Sequence, residues 1–172
     1  MEPKTITIPK INSLTLEYSL LASALFIPMV ISGPQLLTGT IVNALLFLFI
    51  SQTHSKKALP LILLPSIGAL INGLVFGTST LFLLYFLPFI WLANYFLTES
   101  FRYFLQKYSY LISAGLSSVI KCAVLFCSAY LLTSTGVVPV QFLQLMGLFQ
   151  LYTALLGGVI AYGVYTILKK TV

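Results

Sequence analysis

The sequence predicts an all-α fold, a single domain over residues 1–172 built as a bundle of six transmembrane helices with both termini cytoplasmic. Three observations predict it. The chain is 59% hydrophobic and 7% charged, with a mean hydropathy of +1.02, which is more apolar surface than one soluble core of this size can hide. Its apolar residues fall in six runs, near the roughly 20 residues a helix needs to cross a bilayer, and little chain is left for a separate soluble domain. Apart from Lys121, its Lys and Arg residues stand at the termini and in alternate loops between those runs.

The chain opens on MEPKTITIPKINSLTLEY, polar for too long and without the small-residue cleavage site of a secretory signal. The first helix, Leu14–Ile31, is therefore expected to stay. SGPQ, at Ser32–Gln35, supplies the turn into the second helix, Leu36–Ile50, and the polar QTHSKK, at Gln52–Lys57, leads to the third, Leu59–Phe76. GTST, at Gly77–Thr80, precedes the fourth, Thr80–Leu97. TESFRYFLQK, at Thr98–Lys107, separates it from the fifth, Ser109–Leu132; within it Phe101–Tyr108 reads either as a plain loop or as an interfacial amphipathic helix. TSTGVVP, at Thr133–Pro139, leads to the sixth, Leu143–Leu168. Pro28, Pro60, Pro65 and Pro88 fall within these helices, where each is expected to remove a backbone hydrogen bond; such breaks suit a protein with an internal pocket.

Charge orients the bundle. Lys4 and Lys10 precede the first helix, Lys56 and Lys57 follow the second, Arg102 and Lys107 follow the fourth, and Lys169 and Lys170 close the chain. The remaining three loops carry no Lys or Arg, so SGPQ, GTST and TSTGVVP are expected outside and the basic loops inside. Topology thus accounts for the net charge of +6, and no basic domain remains to bind nucleic acid.

Polar residues within the spans narrow the function. Ser109, Ser113, Ser117 and Lys121 recur every four residues along the fifth helix, with Ser128 two turns further on, and so share one face. The sixth helix carries Gln144, Gly147, Gln150, Ala154, Gly157, Gly158 and Ala161 in a similar stripe; the small residues read as close-packing positions. Gln35, Thr38 and Asn43 come from the second helix, Ser66 and Asn72 from the third, and Asn94 from the fourth. Cys122 and Cys127 lie five apart in an apolar segment, a spacing that fits neither a redox pair nor a zinc site, and read as packing residues.

Lys121 is the costly one: a cation at the bilayer centre is penalised by roughly 2.5–3.5 kcal/mol on insertion scales. Twelve residues beyond Ser109, it lies about 18 Å deep, too deep to snorkel to the inner surface. The acidic residues are Glu2, Glu17 and Glu99, none at matching depth. The lysine must then be neutral, bound to helix-end carbonyls, or held for an anionic group arriving from outside. The chain lacks the GxxxxGK[ST] phosphate loop and any intramembrane carboxylate for ion coupling. Its one histidine, His54, cannot supply paired haem ligands. Neither catalysis nor a cofactor or metal is expected.

Three segments carry a resemblance: GPQLLTGTIVNALL at Gly33–Leu46, LPFIWLAN at Leu87–Asn94 and LFQLYTALLGGVIAYGV at Leu148–Val164, with LPSIGALINGLVFG filling the third helix and a lysine midway along the fifth. In order, with this length and span number, they resemble the S components, the substrate-binding membrane subunits, of energy-coupling-factor (ECF) transporters. The resemblance implies a six-helix bundle in the prokaryotic plasma membrane that captures a vitamin, metal or related small solute in an outward pocket. A separate transmembrane coupling subunit and two cytoplasmic ATPases would then tilt the bundle and release the solute inward. Pocket positions implied for this chain are Gln35, Thr38, Asn43, Asn72, Lys121, Gln144, Gln150 and Thr153, with Tyr152 or other aromatics as walls. Asn94, near the expected cytoplasmic end, reads as structural. The first helix of the family docks on the coupling subunit through an alanine-x-x-x-alanine surface. Here Ser19 and Ser23 hold that spacing with Ala22 beside them, so the surface is small but the alanine pair is absent. A rival expectation is a membrane scaffold whose stripes pack against partner helices; a lipid-directed enzyme is disfavoured by the lack of a carboxylate or histidine cluster.

Overall fold

A computed structural model describes residues 13–31, 35–52, 58–76 and 82–171. Lys4, Lys10, His54, Lys56, Lys57, Glu2, the GTST turn and most of the SGPQ turn lie outside the described residues, as do the side chains of Lys169 and Lys170. The described residues form helices and no strand: α1 (Ser13–Val30), α2 (Gln35–Gln52), α3 (Leu59–Phe76), α4 (Leu83–Leu105), α5 (Tyr110–Ser134), α6 (Gln141–Met146) and α7 (Leu148–Thr171). Three units are long and apolar enough to cross a membrane: α2, α5, and the span Gln141–Leu168 that joins α6 to α7. The apolar stretches found in α1 and α3, Leu14–Val30 and Leu59–Leu74, are shorter, and α4, though 23 residues long, is diluted by Pro88, Asn94 and Glu99.

Two elements differ from the sequence expectation. No Gly or Pro interrupts the chain between Pro88 and Leu105, so α4 runs on through the stretch read as a loop or separate interfacial helix. Thr98 and Phe101 are buried there, while Glu99 pairs with Arg102 at 2.6 Å on the outer side. The expected sixth helix starts two residues earlier and breaks at Gly147, which has φ −98° and ψ −103°; six residues of α6 precede the break and 24 of α7 follow it. Pro28, Pro65 and Pro88 lie inside helices. Pro60 does not act as expected: it sits in the first turn of α3, where its absent N–H has no intrahelical partner to lose.

The most extensive pairings are α2 with α7, α4 with α5, α1 with α3, and α5 with α7. Small residues make them possible. A Cβ on Gly157 of α7 would stand 2.7 Å from Asn43 Cβ and 2.8 Å from both Ala44 N and Thr40 O of α2. A Cβ on Gly68 of α3 would overlap Leu25 O of α1. The helix backbones therefore touch where these glycines lie.

Packing is unequal along the bundle. At the end where α2 and α4 finish and α5 begins, a continuous core contains Phe47, Phe49, Leu61, Leu97 and Phe101. Its rings run from Phe47 to Phe101 at 4.8 Å between centroids, on to Tyr110 at 5.1 Å, and to Tyr165 at 5.4 Å. This end is solid. A smaller core of Phe86, Leu125, Ala129, Val138 and Met146 lies toward the opposite end, against one side of the bundle, and leaves space beside it.

Gly157→Leu is expected to force α2 and α7 apart and to destabilise the bundle by about 1–3 kcal/mol, the usual penalty for overpacking. Thermal unfolding in detergent measures it. Gly163→Leu on the same helix, where an added Cβ meets nothing within 4 Å, should leave the midpoint unchanged.

Candidate solute-binding cavity

The space left by the unequal packing is a cavity of about 580 Å³, in the size range of small-molecule sites. Pro28 and Ile31 near the end of α1, Gln35 and Thr38 at the start of α2, Asn72 late in α3, Phe82 and Leu83 at the start of α4, and Pro139 and Phe142 around α6 line its upper part. Asn43, Asn94 and Lys121 line it deeper down. Its lining thus comes from the end of the bundle opposite the last turn of α4, with Arg102, and the α4–α5 connection, with Lys107.

Lys121 sits at the middle of α5, 4% exposed. Its Nζ donates to Asn43 Oδ1 at 2.6 Å and to Asn94 Oδ1 at 2.7 Å. Asn43 is midway along α2 and Asn94 is the central residue of α4, so three helices meet at one level through three midpoint side chains. Backbone partners aim both amides. Asn43 Nδ2 donates to Gly39 O at 2.8 Å and to Thr153 Oγ1 at 3.2 Å, leaving its oxygen for the ammonium. Asn94 Nδ2 donates to Ile62 O at 3.2 Å, next to the turn that Pro65 opens in α3 by removing the bond to Leu61 O.

Higher up, amides close the ends of helices. Asn72 Nδ2 donates to Met29 O at 2.8 Å, and Gln35 Nε2 to Leu145 O at 3.2 Å; both carbonyls lie in last turns that lack intrahelical partners. The second bond ties α6 to the start of α2. Cys122 Sγ donates to Gly147 O at 3.4 Å, at the break between α6 and α7, so this cysteine packs and also steadies that break. Ser66 Oγ accepts from Trp91 Nε1 at 2.7 Å and donates to Leu63 O at 2.8 Å.

Of the positions singled out from sequence, Gln35, Thr38, Asn43, Asn72, Lys121 and Gln150 line this one cavity. Thr153 does not; fully buried behind Asn43, it accepts that amide's hydrogen bond and donates to Gln150 O at 3.0 Å. Gln144 is exposed and borders a separate apolar groove with Cys122 and Phe126. Tyr152 is 54% exposed on the outside of α7, and the aromatic walls are Phe82 and Phe142 instead. Ser113 and Ser117 lie on the buried face of α5 as expected, but their hydroxyls donate to the carbonyls of Ser109 and Ser113 on their own helix. Ser19 and Ala22 lie exposed on α1, with Ser23 half-buried, away from the cavity.

Asn94 is the residue that sequence reasoning misplaced. With the fourth helix ending at Leu97 it stood near a membrane surface; with α4 running to Leu105 it stands at the midpoint, opposite Lys121. Its position relative to the Pro88–Leu105 stretch, which has no helix breaker, was the available signal. No group of three His, Cys, Asp or Glu residues able to hold a metal ion occurs among the described residues. Neither a family model, nor a curated protein, nor a solved structure matches the chain.

Asn94→Leu should cost about 1–3 kcal/mol, because it leaves a buried lysine donor unpaired and removes the bond to Ile62 O. Lys121→Met replaces the ammonium by an apolar chain of similar length and should cost less. In the Lys121→Met background Asn94→Leu should cost measurably less than in the wild type; additive effects in a double-mutant cycle of unfolding midpoints would show that the contact does not couple the helices.

Proposed function

We propose that the chain is a six-span membrane protein with both termini cytoplasmic and that it binds a small polar or anionic solute from the outer face. The resemblance to ECF S components supplies the rest of the reading. Binding is followed by docking on a transmembrane coupling subunit and release inward, driven by two cytoplasmic ATPases, and the protein itself is a binding subunit with no enzymatic role.

One observation carries the binding part: a buried lysine whose Nζ is held by two neutral amide oxygens and, among the described residues, by no carboxylate, at the floor of an open cavity. Amide oxygens orient a cation but do not cancel its charge. Desolvation of an unpaired charge is costly, so a site of this kind gains when an anionic group enters. Two further features agree with the membrane reading. Large apolar side chains such as Tyr18, Val30, Val119 and Ile160 are exposed, while Asn43, Asn94, Ser113, Ser117, Lys121 and Thr153 are buried, an arrangement suited to surroundings of lipid. The cavity also faces away from the Arg102–Lys107 connection, which the charge rule puts inside. On α1, the exposed Ser19 and Ala22 leave a low-relief surface beside Tyr18 and Phe26 for a partner helix.

Topology is testable in whole cells. In a chain whose two cysteines are replaced by Ala, a membrane-impermeant thiol reagent should label Ser134→Cys from outside and should label Gln106→Cys only after the membrane is opened; the reverse pattern inverts the bundle. Function is tested by purification from native membranes in mild detergent. The expected preparation holds a small solute detectable by native mass spectrometry and copurifies with an ATPase pair, and Lys121→Met should lose the solute while the bundle stays folded. A larger assembly that never contains a solute would instead indicate a scaffold.

A further inference from the structure

We infer that the solute is a monoanion, with one carboxylate-like group against Lys121 and a largely apolar, flat body filling the rest of the cavity. This inference rests on the binding role proposed above and narrows the solute to a chemical class.

The floor of the cavity sets the charge. Among the described residues that line it, Lys121 is the only charged one. Arg102 is paired with Glu99, and Lys107 donates to Tyr103 Oη in the α4–α5 connection, both at the other end of the bundle. An ammonium has three N–H donors. In its protonated form Lys121 spends two of them on Asn43 and Asn94, which leaves one N–H and one unit of positive charge for a guest. Asn43 has no N–H left to add there, because Gly39 O and Thr153 Oγ1 take both, and Asn94 spends one of its two on Ile62 O. What they present to the floor is oxygen. Beside Nζ stand the acceptor oxygens of Asn43 and Asn94, so a doubly charged phosphate ester, or a dicarboxylate with both groups at the floor, would carry more negative charge than the one lysine can balance. A cationic guest would face the ammonium directly.

The walls set the body. Phe82, Ile90, Phe142, Leu145 and Met146 line the cavity from α4 and α6, with Pro28, Val42 and Pro65 on the other side. Phe142 is itself stacked on Phe86 at 5.3 Å and meets Phe82 edge-on at 5.6 Å, a rigid aromatic wall suited to a planar or ring-bearing guest. The remaining polar capacity lies farther up: Thr38, Gln141 and Gln150 line the cavity, and their side chains have no hydrogen-bond partner among the described residues. These can bind one or two uncharged polar groups at the end of the guest away from the anion.

Asn94→Asp is the discriminating variant. It puts a carboxylate where the amide oxygen lies 2.7 Å from Nζ, so Lys121 acquires an internal counter-ion with little change of shape. The full chain, purified from its native membranes, is expected to release a solute with a single negative charge at pH 7, and Asn94→Asp, folded by circular dichroism, is expected to carry none. Emptied wild-type protein titrated calorimetrically should bind 5-phenylpentanoate more tightly than 5-phenylpentanamide by about tenfold or more, and Asn94→Asp should abolish that preference. A released solute that is neutral, cationic or multiply charged, or one retained undiminished by Asn94→Asp, overturns the monoanion inference and leaves the binding function standing. Equal affinity for the two probes, or binding of neither, likewise overturns it. A wild-type preparation with no solute at all removes the binding function and the inference together.

Discussion

The contact between Lys121 and the two asparagines is the constraint around which the bundle is arranged. A cation in an apolar interior must be solvated by something, and here two side-chain carbonyls do the work of water. Each of those amides is in turn aimed by backbone and hydroxyl acceptors on α2, α3 and α7, so the lysine of α5 is held by groups from four other helices. The shared level of Lys121, Asn43 and Asn94 fixes the register of α2, α4 and α5. The close contact at Gly157 exists for the same reason: α7 must approach α2 to bring Thr153 behind Asn43.

Below this layer the bundle is filled by rings and leucines; above it the side chains stop short of filling the space. Proline helps to create that difference. Pro28, Pro65 and Pro139 all border the cavity, and the carbonyls around the breaks and helix ends are taken up by Asn94, Asn72 and Gln35. Several amides that look like ligand groups in the sequence thus have one hand on the protein. Their free atoms, together with the amides of Gln141 and Gln150, which have no hydrogen-bond partner among the described residues, define how little polarity the cavity has to offer a guest, and that scarcity is as informative as the lysine.

Much of this was legible from residues alone, and the failures have local causes. The third helix was read with the bounds it has, because Pro60 and the polar loop before it mark its start sharply. The lysine and five other lining residues were singled out because a polar residue in an apolar run has few innocent explanations. Asn94 was misjudged through one helix end: TESFRYFL is polar enough to look like a loop, yet contains no residue that stops a helix, and an error of two turns moved the asparagine from the middle to the surface. Gln144 and Tyr152 went astray because helical spacing says which residues share a face but not which way that face turns, and the break at Gly147 turned it.

By itself, then, the amino-acid sequence determined an apolar, all-helical chain with long apolar runs, and the isolated cation that any fold would have to accommodate; composition and hydrophobic runs are local properties and need no partner. Only the tertiary structure decided which groups meet that cation, which amides are already spent on backbone carbonyls, and where the space lies. Hydrogen-bond partners and empty volume belong to pairs of helices at a given register and rotation, and no run of residues along a single helix encodes them.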